Sequence, residues 1–176
     1  GGLAKAGSGT LVLLGTHGYT GPTTVTAGSL LVSGTLQATA VSVATGGLLG
    51  GSGSILGAVS VADGTLSPGP NSAAFSLGSL ALDATSTTLV QITGTTAATQ
   101  YDQLLIAGSL GYGGTLQLDL AQTFATNTSF NLFNTFTSFS GNLAAISSTG
   151  AAYNGLSFTR VGDLWTSSES GGQALT

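Results

Sequence analysis

Val25-Thr26-Ala27-Gly28-Ser29-Leu30, Val43-Ala44-Thr45-Gly46-Gly47-Leu48 and Val61-Ala62-Asp63-Gly64-Thr65-Leu66 are one phrase written three times. The step is 18 residues each time: 25 to 43 to 61 for Val, 28 to 46 to 64 for Gly, 30 to 48 to 66 for Leu. Val41-Ser42-Val43 lies over Val59-Ser60-Val61 at the same step. A fixed short period with a recurring Gly between apolar positions marks a repeat array, in which each unit buries its apolar face only by stacking on its neighbours. Strand side chains alternate between faces, so Val41 and Val43 point one way and Ser42 the other. If each period is one turn of a coil, like residues stack about 4.8 Å apart, and glycines mark corners where positive φ is needed. The periodicity predicts an all-β chain, a parallel β-solenoid with Val, Leu and Ile inside and Ser, Thr and Ala outside. An antiparallel sandwich has similar short strands but leaves the unvarying step unexplained.

The rest of the chain reads outward from this core. Residues 1–66 hold the regular 18-residue repeats, with an earlier strand at Thr10–Leu14 and a breaker-rich loop at Gly15–Pro22. Residues 67–120 read as longer, degenerate coils of roughly 20–28 residues. They begin with a loop carrying Pro68, Pro70 and Asn71 and continue in strands at Leu77–Asp83, Thr88–Thr93, Gln103–Ala107 and Thr115–Leu120. Residues 121–176 gather most of the aromatics: Phe124, Phe130, Phe133, Phe136, Phe139, Tyr153, Phe158 and Trp165. They are expected to form terminal coils that close the open end of the column. The whole chain, 1–176, reads as one solenoid domain of about seven or eight coils, a rod roughly 35–40 Å long.

Composition sets the function classes. Of 176 residues, 41% are hydrophobic and only 5% are charged, against about 25% in an ordinary soluble domain. Helices with a charged wet face are therefore excluded. The net charge is −4, and Lys5 and Arg160 are the only fixed cations. Two cations do not neutralise a phosphate track, so nucleic acid is excluded as a partner. Without cysteine there is no disulfide and no thiolate chemistry. No apolar run approaches the ~18 residues of a membrane helix, so no membrane insertion is expected. No basic start followed by an apolar block is visible in the sequence, so any secretion signal is expected to lie upstream or to have been removed.

The opening residues carry a resemblance. Lys5-Ala6-Gly7-Ser8-Gly9-Thr10-Leu11-Val12-Leu13-Leu14-Gly15, Tyr19-Thr20-Gly21-Pro22-Thr23-Thr24-Val25 and Ala27-Gly28-Ser29-Leu30-Leu31-Val32 resemble the autotransporter-associated β-strand repeat, also called the passenger-associated transport repeat, over about residues 2–34. Residues 45–120 are similar to its degenerate continuation, including Leu66-Ser67-Pro68-Gly69 and Tyr101-Asp102-Gln103-Leu104. The last fifty resemble the closing part of bacterial surface proteins that carry a C-terminal sorting signal, although the signal itself is missing. The resemblance implies a secreted bacterial surface protein with a right-handed parallel β-helix, and it brings no catalytic residues. No β-barrel translocator is present, so the chain is expected to be a fragment, a processed product or a free-standing secreted protein.

The residues offer little chemistry of their own. His17 is the single histidine, and a zinc site needs three or four ligands. Asp83, Asp102 and Asp119 fall at steps of 19 and 17, which would allow stacking on one face, but no Lys or Arg stands near them to hold an acidic sugar. Asp63 and Asp102 read as turn residues that bond their own backbone. Gly50-Gly51-Ser52-Gly53 lacks the Asp of calcium-binding repeats and the Lys of a phosphate loop. No catalytic, cofactor or metal residue is assigned, and no cofactor is expected. The expectation is a non-catalytic extracellular structural protein: a stem, or the subunit of a head-to-tail fibre whose first strand is guarded by Lys5 alone. The alternative is a carbohydrate-binding surface module using the aromatic C-terminal region, with Tyr153 and Trp165 as glycan contacts.

Overall fold

Short runs that alternate β-branched or aliphatic residues with Ser, Thr or Ala give the chain its strands, and small residues at the corners let one strand turn into the next. The computed structural model of the chain describes residues 1–37, 39–69, 71–125, 128–150, 156–161 and 164–169, with Ser129 and the last two stretches described as backbone only. Each of the first five coils carries three strand segments. The first holds β1 (Leu3–Lys5), β2 (Thr10–Leu13) and β3 (Thr16–His17). The second holds β4 (Thr23–Val25), β5 (Gly28–Val32) and β6 (Thr35–Leu36). The third holds β7 (Val41–Val43), β8 (Gly47–Gly50) and the start of β9 (Ser54–Val61). The rest of β9 opens the fourth coil, followed by β10 (Thr65–Ser67) and the start of β11 (Ala74–Leu82). The end of β11, β12 (Thr87–Ile92) and β13 (Gln103–Ile106) make the fifth. The sixth is β14 (Ser109–Tyr112), β15 (Thr115–Leu120), β16 (Ser129–Phe130) and β17 (Phe133–Asn134). The seventh is β18 (Ser138–Gly141) and β19 (Ala145–Gly150). A hairpin, β20 (Leu156–Val161) and β21 (Leu164–Glu169), follows.

These strands stack into a parallel β-solenoid. The middle segment of every coil joins a seven-stranded parallel sheet, β2-β5-β8-β10-β12-β15-β19 in space, and the outer two segments form the two limbs of an eleven-stranded parallel sheet. Seven layers at ~4.8 Å give a stack of about 34 Å. Val25, Val43 and Val61 occupy consecutive layers, as the 18-residue step requires. They belong to a core that also stacks Leu11, Leu30, Leu49, Leu66, Thr88, Leu116 and Ile146 layer by layer.

The leucine register differs from the sequence phrase. Leu49, not Leu48, lies over Leu30 and under Leu66, and Leu49 is fully buried while Leu48 is half-buried. The bend after Val43 holds one residue more than the bends after Val25 and Val61, and the return path of that coil is correspondingly shorter, so the overall step of 18 survives a local slip. The glycines shift with it. Gly28 pairs with Gly47, and the left-handed positions at this corner are Gly28 (φ 66°), Gly46 (φ 80°) and Asp63 (φ 58°) rather than Gly64. A second corner stacks Gly15, Gly34 and Gly53. A Cβ on Gly34 would stand 1.8 Å from the Gly15 carbonyl oxygen, and one on Gly53 2.1 Å from that of Gly34.

The coils lengthen toward the C-terminus. Val61 pairs with Leu82, Leu80 with Leu110, and Leu110 with Phe139, steps of 21, 30 and 29. The extra residues fall on one corner, between the seven-stranded sheet and the following limb, and the described ones among them are 68–69, 71–73, 93–102, 121–125 and 128–132. From there β16, β21 and β20 form a separate three-stranded antiparallel sheet, in which Phe130 is paired with Trp165 and Trp165 with Arg160.

Candidate functional site

The corner that carries these three insertions is a ridge along the rod. Insertions in a repeat array collect on one face, and that face is commonly where partners meet the protein. Its interior is aromatic. Tyr101 and Phe130 meet edge to face at 5.3 Å, as do Phe124 and Phe130 at 5.1 Å. Residues 93–101 fold back as a tongue, with Thr93 and Gly94 N–H donating to the Gln100 carbonyl and Tyr101 bridged to Ile92.

Asp102 holds the ridge to the rod. Its side chain is fully buried. One carboxylate oxygen accepts the N–H of Ala73 at 2.9 Å and the other that of Gln91 at 2.8 Å. Ala73 ends the first insertion and Gln91 lies in β12, so one carboxylate ties two coils together. Burial pushes its pKa up to about 6, against the two N–H bonds, which lower it. This corrects the expectation that Asp102 bonds its own turn. Asp63 does not either: it accepts the Thr45 hydroxyl at 2.6 Å from the preceding coil. The local turn is made by Asp83, which accepts the N–H groups of Thr85 and Ser86. Desolvation raises the Asp83 pKa and is the largest single influence, but the bonds from Asp63, Thr85 and Ser86 together outweigh it and hold the pKa below the usual value. Asp83, Asp102 and Asp119 do not stack, since Asp119 has Gln91 and Thr149 as its layer neighbours.

A groove of about 300 Å³ opens where the flush corners of the early coils meet the first insertion, lined by Leu31, Ser33, Gly51, Pro68, Asn71 and Ala73 among others. It contains no charged side chain. Lys5 and His17 lie elsewhere, both at inward register positions of the first coil. Lys5 is paired with Val25 and His17 with Leu36. Lys5 is buried, and its Nζ donates to the carbonyls of Gly7 (2.6 Å), Ala27 (2.9 Å) and Ala6 (3.2 Å). It is therefore a corner clamp and not a solvated guard of the first strand. His17 Nε2–H donates to the Leu14 carbonyl at 2.9 Å. Buried hydroxyls of Thr23 and Thr39 form a short chain with Tyr19. No group of three or more His, Asp or Glu able to hold a metal occurs among the described residues.

Residues 3–32 match the passenger-associated-transport-repeat model. That span runs from β1 through β5, and the passenger-associated transport repeat is thus one full coil and the first two strands of the next. The repeat belongs with secreted or surface proteins, and among the described residues no helix is long and apolar enough to cross a membrane. No curated protein matches the chain. Of the glycan contacts named from sequence, Tyr153 lies outside the described residues, and Trp165 is placed only by its backbone, between Phe130 and Arg160. The ridge and Asp102 were missed as a site. The cue was the loosening of the period after Leu66, since residues added to a repeat must leave the stack somewhere.

Proposed function

We propose that the chain is a non-catalytic structural stem of a secreted bacterial surface protein, with the insertion ridge as its partner-facing edge. The observation that carries this reading is the unbroken seven-layer column running from Leu11 to Ile146. A stem needs axial continuity and nothing more, and a solenoid supplies it through contacts between adjacent coils alone. Among the described residues, Lys5, His17, Asp63, Asp83, Asp102 and Asp119 are each bonded to backbone groups or to structural hydroxyls. The test is excision of residues 41–58, which brings the Thr23–Val25 layer directly under the Val59–Val61 layer. A stem shortened by one coil still folds and is still displayed on a secreting bacterium. Loss of display by a folded shortened chain, or catalytic turnover by the intact one, would sink the reading.

End-to-end stacking of such rods is a second reading. It is favoured by Phe139, an inward residue of the last layer that remains half exposed. A further coil laid on β18 would cover it. Electron microscopy of the purified chain separates the two, since stems appear as short monodisperse rods and stacked copies as fibres.

A further inference from the structure

The Asp102 carboxylate is an unusual way to fasten a loop. Most loops in this chain are tied by backbone bonds or hydroxyls, whereas here a fully buried acid receives one N–H from each of two coils, and among the described side chains no cation bonds to it. The segments packed around it, residues 67–73, 87–101, 103–106 and 128–134, contain a single other ionisable side chain, Tyr101. Arg160 on β20 reaches this side of the molecule only by register, opposite Trp165, whose other partner is Phe130.

A carboxylate accepts through both oxygens, and bonds to an ionised acceptor are about twice as strong as neutral ones. Protonation removes the charge and turns one oxygen into a donor, so the two N–H groups no longer have equal acceptors. The segment with the alternative is the one that moves. Gln91 is held within β12 by its neighbours in β15, while Ala73 sits at the end of a loop and lines the groove with Leu31, Ser33, Gly51 and Asn71.

We propose that Asp102 is a proton-operated clasp, which fixes the segment 71–73 and the width of the adjoining groove when ionised and slackens that segment when neutral. The inference stands apart from the stem reading, since it concerns how one segment is held. Burial sets the working range, with the acid titrating at about 6; the two N–H bonds act the other way and favour the ionised form, so protonation weakens these bonds even though burial makes the fold as a whole favour the neutral acid.

The test is a carbon and amide-proton NMR titration of the whole chain. The Asp102 carboxyl carbon and the amide protons of Ala73 and Gln91 are expected to share one midpoint near pH 6. Hydrogen exchange of residues 71–73, corrected for its intrinsic pH dependence, should rise several-fold below that midpoint. Asp102→Asn should abolish the shared midpoint, and Arg160→Gln should leave it in place. The proposal is overturned if the two amides stay silent as Asp102 titrates, if their response persists in Asp102→Asn, or if Arg160→Gln moves the midpoint by about a unit. Should Asp102→Asn not fold, the titration and exchange of the natural chain decide the matter alone.

Discussion

Thr88 interrupts an otherwise aliphatic stack, between Leu66 and Leu116, and its buried hydroxyl has no hydrogen-bond partner. An orphaned buried hydroxyl costs about 1–3 kcal/mol. Thr88→Val keeps the shape and removes the polar atom, so urea unfolding should show a gain of about 1 kcal/mol. Asp102 works in the opposite sense. Replacing it by Ala strands two buried N–H groups, and the expected loss is about 2–4 kcal/mol by the same measurement. Its pH dependence has a definite sign. The folded pKa, about 6, lies above the ~3.9 of an unfolded chain, so the folded form binds the proton more tightly. The stability this contributes is complete below about pH 4 and is lost as pH rises through about 6, up to ~3 kcal/mol in all. Denaturation across this range should show stability falling with pH, and Asp102→Asn should flatten the curve. At this scale the sequence was a poor guide. Lys5 reads as a lone surface charge, and nothing in Lys5-Ala6-Gly7 reveals that three carbonyls converge on its amine.

Among the strands, the Leu48–Leu49 pair shows how a period can be right while its register is wrong. Both residues fit the phrase, and a repeat of 18 favours Leu48. The longer bend after Val43 puts Leu49 inside instead. Leu49→Ala should therefore cost about 2–5 kcal/mol, and Leu48→Ala under about 1 kcal/mol. Equal losses would mean that the slip is wrong. Corners obey a different rule. Gly51 has φ 131°, and a Cβ there would lie 2.0 Å from the Val32 carbonyl oxygen. Gly7 has φ 76° with open space around it. Gly7→Ala should thus cost only about 1 kcal/mol, whereas Gly51→Ala should disrupt the coil, a contrast that thermal melting would display. The Val column was legible because identical triplets set it. The Gly15–Gly34–Gly53 column was not, because its step is 19 rather than 18 and no single triplet repeats across all three glycines.

For the rod as a whole, each layer touches only those above and below it. Substitutions several layers apart, such as Val25→Ala and Leu116→Ala, should therefore add within about 0.5 kcal/mol; a larger coupling would point to a molecule-wide core. The architecture could be read from a handful of apolar positions, since a solenoid repeats its own evidence. The later coils could not, because residues 93–102, 121–125 and 128–132 leave the stack and follow local rules that no period announces.

The uneven coil lengths also give the molecule a mechanical signature. Under tension applied at its two ends, the stack should come apart one coil at a time, because every bond between layers is opened by peeling. At roughly 3.5 Å of contour per residue, an early coil of 18 residues releases about 60 Å of slack and a late one of 30 about 105 Å. A force trace would then carry two classes of step, short and long, and their order would record from which end the rod yields first.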